Sequence, residues 1–598
     1  MRRIESGPPR VNMGAGKGLS NKLFPRLWTA CICVLTFLAY IGTLRFQFVH
    51  DDRGQIVSNP AVHSWHAVPG YFTSHVWAAV APDFLGNDYR PLFLFWLRIN
   101  DALFGRWAAG WHFTTVIAHV VATCCVVLLA HRLLDEWPAA LFSGLIFGLH
   151  PVHIEGVAWI SGVPEPLLAG LLITSYLCWL RSRETDGGWG NWLGASLALY
   201  MLGLLTKETA VVLVPILFTS EWLDFPVPVG SRLTGWGRRI PQILKGLLPF
   251  LVLTAFYLIV RTVALKGFSH PAAQVSWPTM VLTWPSLLLF YIRLLVWPIG
   301  LSPFYALQFV SHPTFGNFVF PILVLLLVSV EIGIWASRSR PVALVIPWLI
   351  FPVLPVLDIQ IFGNGNFAHN RYLYLPSVGF AMLIAMALRK VKVGRKYGDV
   401  IHSFQIWIVV GLAAVLCLAI NIEDRYYSSD AAFYSLACSR VGHSYPVIGM
   451  DYANTLAEQG DFVHAAAIYT DLIKAWPGMW TAYFNLGYMY YQQGKMDSAV
   501  QYLSETAAGD PTNAAAVFYL GLSHLKLHHL DDAEADLRRA TVLAPTAPNN
   551  HFALGMVLKV EGKGPGALAE FARELAVNPA NRDAAQQAVA IQRQIAGK

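Results

Sequence analysis

Hydrophobic residues fill the chain in long runs up to about residue 422, and after that their spacing changes. In the first part, runs near the ~20 apolar residues that a bilayer crossing needs follow one another with short polar interruptions. Beyond Glu423 no run approaches that length, and small residues and prolines recur at a fixed interval. The pattern predicts an all-α chain: a polytopic helical membrane domain followed by an α-solenoid. The expected divisions are a cytoplasmic tail over 1–26, a membrane domain over 27–422, and a half-repeat with linker over 423–444. Four helical repeats over 445–579 and a capping helix over 580–598 follow.

Lysine and arginine in short loops mark the cytoplasmic side of a membrane protein. The tail carries Arg2, Arg3, Arg10, Lys17, Lys22 and Arg26, and no small-residue cleavage site follows the run Leu27–Leu44. That run therefore reads as a span and not as a signal peptide. The first span (27–45) delivers Asp51 and Asp52 to the outside. Ten more are predicted at 111–131, 138–150, 166–181, 190–206, 208–224, 244–262, 318–336, 342–358, 371–388 and 404–422, making eleven. This threading keeps Arg132, Arg181, Arg183, Arg232, Arg238, Arg239, Lys245, Arg338, Arg340 and the basic stretch 389–396 inside. The stretch Leu92–Phe104 is short and holds Arg98 and Asp101, so it lies flat or re-entrant. The stretch 283–299, broken by Arg293 and Pro298, must stay out of the count. An odd count places everything after Asn421 outside.

In the polar part Pro477, Pro511, Pro545 and Pro579 stand 34 residues apart, as do Ala465, Ala499, Ala533 and Ala567. Ala453, Gly487, Gly521 and Gly555 form a third such series. Gly460, Gly494 and Gly562 form a fourth, in which His528 is the exception. Small residues let two short helices cross closely and a proline ends the second, which is the logic of the tetratricopeptide repeat. Such solenoids offer a concave groove, most often to a polypeptide.

Composition narrows the function. Apolar residues are 55% and charged residues 13% of the chain, about half the charged share of a soluble protein, and mean hydropathy is +0.47. In so apolar a chain the +7 net charge does not read as a nucleic-acid surface; the expected surroundings are membrane lipid. Six of the seven cysteines lie in apolar runs and only Cys438 in the polar part, so no structural disulfide is expected there. No Cys/His set has zinc-like spacing, a structural metal is not expected, and no cofactor is required. Whether the paired carboxylates bind a divalent cation stays open.

Charged groups recur at the outer ends of the predicted spans: Asp51 and Asp52; Asp88 and Arg90; His150, His153, Glu155 and Glu165; Lys207 and Glu208; Arg371 and Tyr372. A carboxylate at the membrane surface can take a proton from an attacking hydroxyl, and Arg or Lys can hold a lipid phosphate as it leaves. This suits transfer from a polyprenyl-phosphate carrier, whose phosphate lies at headgroup level. Taken singly, each group has a plainer reading. A DD pair is often a solvated helix end, the two histidines flank a proline, and Arg371 beside aromatics is an ordinary interface anchor. Their gathering on one face favours chemistry.

The order Phe48-Val-x-Asp51-Asp52-x-x-x-Ile56-x-x-Asn59-Pro60, Tyr89-Arg-Pro-Leu92, His150-Pro-Val-His153, Ala158-Trp-Ile-Ser-Gly162, Thr206-Lys-Glu208 and Arg371-Tyr-Leu-Tyr-Leu-Pro-Ser377 resembles the transmembrane-and-tetratricopeptide-repeat (TMTC-type) family. That family belongs to the GT-C glycosyltransferases, with the protein O-mannosyltransferases. The resemblance implies transfer of a single mannose-like hexose from a polyprenyl-phosphate donor to Ser/Thr of exported proteins captured by the repeats. It implies Asp51 or Asp52 as base, leaning toward Asp51, with Glu165 as a second carboxylate. Arg90, Lys207 and Arg371 become candidate phosphate contacts, and His150, His153, Glu155 and Tyr372 candidate substrate contacts. The family usually shows Arg-Ala-Asp where Val163-Pro164-Glu165 stands, so the donor contacts there are expected to differ. No Asn-x-Ser/Thr sequon occurs, which favours a bacterial inner-membrane homologue with periplasmic repeats over an endoplasmic-reticulum protein. The rival reading is a membrane-anchored repeat scaffold for envelope assembly, without catalysis.

Overall fold

The computed structural model describes residues 14–184, 189–224, 236–362, 365–389, 398–442 and 445–596. The half of the predicted cytoplasmic tail before Gly14 and the basic loops with Arg232 and Lys390 to Lys396 lie outside the described residues. The described chain is helical, with no strand among the described residues. It divides into two compact units, Met1–Arg440 and Val441–Lys598.

In the first unit, seven helices are long and apolar enough to cross a bilayer, or eight if the bent pair Trp137–Leu149 and Pro151–Val157 counts as one span. The segments Leu23–Arg45, Ala108–Leu134, Ile160–Glu184, Ile243–Ala264, Phe315–Arg338 and Arg340–Leu357 match predicted spans. Three expectations need correction. Helix Trp277–Val296, left out of the predicted threading, has 20 residues and the hydropathy of a span. Arg293 falls in its last turn and Pro298 beyond its end, while Pro285 lies inside it without ending it. The predicted span 208–224 is a short turn followed by the 12-residue helix Leu213–Asp224, and 371–388 is reduced to Pro376–Arg389, 14 residues. Both are shorter than the ~20 residues a perpendicular crossing takes, because charged or proline-rich turns take up the rest of each apolar run. The stretch 92–104 forms helix Pro91–Phe104, also short of a crossing; its Arg98 is buried, donating to the carbonyl of Val62 at 2.6 Å and paired with Asp101.

Helices Ala108–Leu134 and Trp137–Leu149 pack on each other, and the latter also packs on Pro376–Arg389. Gly379 makes the next contact possible: a Cβ there would sit 2.6 Å from the backbone nitrogen of Leu349. By contrast, only 6% of the apolar window of Phe315–Arg338 is buried. Leu323, Leu326, Leu327 and Val330 are exposed, as fits a helix facing lipid.

The second unit is four helical hairpins: Pro446–Glu458 with Phe462–Ala475, Trp480–Gln492 with Met496–Gly509, Ala514–Lys526 with Leu530–Leu543, and Asn550–Val560 with Gly564–Val577. Helix Arg582–Ala596 closes the array. The 34-residue series fall where close crossing demands: Ala465, Ala499, Ala533 and Ala567 are all 0% exposed. Gly460, Gly494 and Gly562 turn each hairpin at φ +85°, +76° and +76°, and His528 adopts the same left-handed turn at φ +62°. Helix Asp430–Val441, predicted as a half-repeat of the solenoid, lies almost wholly within the first unit.

Candidate functional site

The irregular segments of the first unit bring the predicted charges together. Glu155 is 1% exposed and accepts from the guanidinium of Arg371 at 2.8 Å and from its backbone N–H at 3.0 Å. His369 Nδ1 stands 3.4 Å from the same carboxylate. The Arg371 guanidinium lies over the rings of Trp159 (5.2 Å) and Tyr372 (5.4 Å). Lys207 and Glu165 form a buried ion pair, and the Lys207 ammonium lies 5.5 Å from the centre of the Tyr372 ring. Arg90 makes a two-pronged contact with Glu208 at 2.8 and 3.2 Å and also reaches Asp88 at 2.8 Å. The ring of His50, the residue before Asp51, lies 5.8 Å from that of Trp159, over which Arg371 also sits. Glu208, the partner of Arg90, follows Lys207 directly in the chain. One continuous face therefore holds Asp51, Arg90, Glu155, Glu165, Lys207, Glu208, Arg371 and Tyr372.

The local fold explains the placement. The segment 154–165 doubles back so tightly that a Cβ on Gly162 would strike the carbonyl of Glu155. That hairpin presents Glu155, Trp159 and Glu165 on neighbouring turns. Val163 is fully buried, in the apolar cluster that also holds Ile56, Phe93 and Leu97. The positive partner of Glu165 is Lys207.

The two aspartates separate completely. Asp52 is 0% exposed and accepts from the backbone N–H of Val49 at 3.1 Å, the backbone N–H of Ser161 at 2.8 Å and the Ser161 hydroxyl. Burial pushes its carboxyl up to about 7 against the lowering effect of those hydrogen bonds. It ties the 49–52 turn to the 160–162 turn. Asp51 keeps 31% of its side chain exposed, and its ion-pair neighbour is the ring of His50 at 3.4 Å. His50 takes a left-handed conformation (φ +51°). Its N–H donates to Asp430 at 2.7 Å, its ring bonds Tyr434 at 3.0 Å, and Phe433 stacks on it with centroids 5.0 Å apart. Asp430 also pairs with Arg53. The aspartates are thus aimed by a helix some 380 residues further along.

His150 and His153 do not reach this face. His150 is 3% exposed; its Nε2 meets the carbonyl of Leu295 at 2.9 Å and its Nδ1 accepts from Val152 N–H at 3.3 Å. His153 is 0% exposed, bonds Ser377 at 2.7 Å and packs among Phe147 and Tyr374. Both are core residues that hold the turn after Leu149, and neither is placed to contact a substrate. Sequence reasoning missed His50, His369 and Asp430. The first stands inside a quoted motif beside Asp51, and the others carry no local signal.

Five carboxylates on this face (Asp51, Asp88, Glu155, Glu165, Glu208) meet three permanent cations (Arg90, Lys207, Arg371). All three cations are already paired. Among the described residues no lysine or arginine forms an ion pair with Asp51, whose side chain stays part-exposed. The face can hold an anionic group through the outer edges of Arg371 and Arg90, which are 22% and 19% exposed, and can accept a proton beside it.

Fold and face together define a multi-pass helical membrane protein with a charged face, followed in the chain by a tetratricopeptide solenoid. Residues 88–229 match the family model of dolichyl-phosphate-mannose-protein mannosyltransferases, and residues 451–514 match a tetratricopeptide-repeat model. The chain is similar to protein O-mannosyl-transferases of the TMTC type. It is 35% identical over 185 residues to Tmtc2 of Drosophila melanogaster, covering 30% of this chain and 20% of that protein. It is 25% identical over 407 residues to F38B6.6 of Caenorhabditis elegans (66% and 55% covered) and 22% identical over 535 residues to TMTC3 of Mus musculus (85% and 54%). The chain thus spans between a fifth and somewhat over half of these relatives' lengths. The mannosyltransferase match includes Arg90, Glu155, Glu165 and Lys207, while Asp51 and Arg371 lie outside it.

Proposed function

We propose that the protein is a membrane glycosyltransferase that moves one mannose-like hexose from a polyprenyl-phosphate donor to Ser/Thr hydroxyls of polypeptides. The observation that carries this reading is the half-open Asp51 carboxylate next to His50, whose ring packs on the Trp159 ring that Arg371 also covers, on a face whose other acids are paired with cations. In the proposed step the acceptor oxygen attacks the anomeric carbon from the side opposite the phosphate. The carbon–oxygen bond to phosphate breaks with inversion, the hydroxyl proton passes to Asp51, and polyprenyl phosphate leaves against Arg371 and Arg90. Lys207 pairs with Glu165, and the Trp159 and Tyr372 rings hold the Arg371 guanidinium in place for the leaving phosphate. Mass spectrometry of exported proteins from cells with and without the gene tests the reading: loss of hexose from Ser/Thr supports it, and an unchanged hexose pattern contradicts it.

The reading requires the site and the repeats to share the non-cytoplasmic side. A reporter fusion at residue 187, after the fourth predicted span, is expected to report cytoplasmic and one at 598 external. A cytoplasmic C-terminus would contradict the mechanism. The repeats are assigned to acceptor capture. Deleting 445–598 is expected to impair transfer to a whole-protein acceptor while sparing a short Ser/Thr peptide, because solenoid repeats contact chiefly their neighbours. Equal loss with both acceptors would contradict the capture role.

A further inference from the structure

We propose that His524, His529 and Asp532 form a binding site for a divalent transition cation, zinc foremost, at the turn of the third repeat. His524 lies in the last turn of helix Ala514–Lys526, His529 caps helix Leu530–Leu543, and Asp532 is in the first turn of that helix. Their ligand atoms lie within 4.8 Å of one another, which no other such group among the described residues achieves. The two imidazole centroids are 5.8 Å apart, and the N–H of His529 donates to the carbonyl of His524 at 2.9 Å, fixing the spacing.

The individual contacts favour a ligand. His524 is 14% exposed and its Nε2 stands 3.8 Å from Asp536. Its Nδ1 is buried without a hydrogen-bond partner. The carboxylate thus stands just beyond hydrogen-bond distance of one imidazole nitrogen, and the other nitrogen has no hydrogen-bond partner. His529 occupies a capping position but makes no capping hydrogen bond through its side chain, so its ring is not committed to the helix.

The plainer account is that Asp531 and Asp532 merely complement the helix N-terminus. That accounts for the acids and leaves the histidines unexplained. This repeat alone replaces the turn glycine, putting His528 at φ +62° where its siblings have Gly460, Gly494 and Gly562, and it surrounds that residue with His524 and His529. The spacing His-x4-His is the histidine half of a familiar zinc pattern. No cysteine pair accompanies it; a carboxylate from the next turn supplies the third ligand. Two imidazoles and one carboxylate suit zinc and its neighbours, whereas magnesium and calcium want oxygen alone. Closing the ligands around a tetrahedral ion with bonds of ~2.0–2.2 Å takes small rotations of His529 and Asp532, both exposed. A fourth position stays open to water or to a side chain of a bound polypeptide.

The test uses the full chain in detergent, titrated with zinc chloride by calorimetry and with cobalt(II) by visible absorption. One site is expected, with tetrahedral cobalt bands and no response to magnesium. H529A and D532N are each expected to weaken zinc by at least ~10-fold, and H464A, on an exposed histidine of the first repeat, to leave it unchanged. A measurement on the unmutated protein accompanies these: zinc should protect His524 and His529, and not His464, from acylation by diethyl pyrocarbonate. No zinc binding, equal binding by the variants, or equal protection of His464 would overturn the proposal.

Discussion

Asp51→Asn is expected to lower sugar transfer by ~10²–10⁴ while leaving the protein folded, the usual cost of removing a general base. Asp52→Asn is expected to act on stability instead. Asp51 is part-exposed and its recorded partner is the neighbouring His50 ring, so an amide there changes little except proton affinity. Asp52 is fully buried and accepts three hydrogen bonds, shared between both its oxygens. An amide offers one acceptor oxygen and turns an NH2 toward an N–H donor, stranding at least one buried group at about 1–3 kcal/mol. Asp52 also brings a pH dependence. The Asp52 carboxyl is raised to about 7 by burial, so its contribution to stability is full below its ordinary value near 4 and is lost as pH rises through 7. Asp52→Asn should flatten the pH profile of melting in that window. The reverse pattern, with transfer lost in Asp52→Asn and stability lost in Asp51→Asn, would contradict the division of roles between the two aspartates.

The second large effect is expected at Glu155. Removing one partner of a buried ion pair typically costs about 3–5 kcal/mol, because the other charge is left without compensation. Glu155→Ala strips the Arg371 guanidinium and the Arg371 N–H of their acceptor at one stroke. It also removes the carboxylate beside His369. The variant should melt far below wild type in detergent or fail to accumulate. Arg371→Lys keeps a cation near Glu155 but loses the planar fork that both pairs and stacks on Trp159 and Tyr372; it should fold, and should raise KM for the lipid donor more than it lowers kcat. Wild-type melting of Glu155→Ala would contradict the claim that this pair anchors the site.

Legibility followed the range of the interactions involved. The repeats are written locally: Ala465 and its three successors are buried wherever the 34-residue interval places them, and Gly487, Gly521 and Gly555 each lie against Leu503, Leu537 and Phe571, where a Cβ would crowd. The membrane half is written in hydropathy, which finds apolar runs but not where charged turns cut them. Hence 208–224 and 371–388 shortened, and Trp277–Val296 emerged as a full-length helix. The charged face was legible as a set because its residues share the ends of predicted spans. Their roles were not legible. Adjacent aspartates differ because Ser161 reaches one of them and Asp430 tethers the residue before the other. His150 and His153 read as surface residues until packing enclosed them.

The most direct test of the central claim is single-sugar transfer by the purified full chain, from a polyprenyl-phosphate-linked mannose to a Ser/Thr peptide, followed by mass spectrometry. Wild type should add one hexose per hydroxyl, and Asp51→Asn, matched in expression and melting, should add almost none. Near-normal transfer by the Asp51→Asn protein, or no transfer by wild type from any such donor while it still binds polypeptide, would contradict the assignment of this protein as a glycosyltransferase with Asp51 as its base.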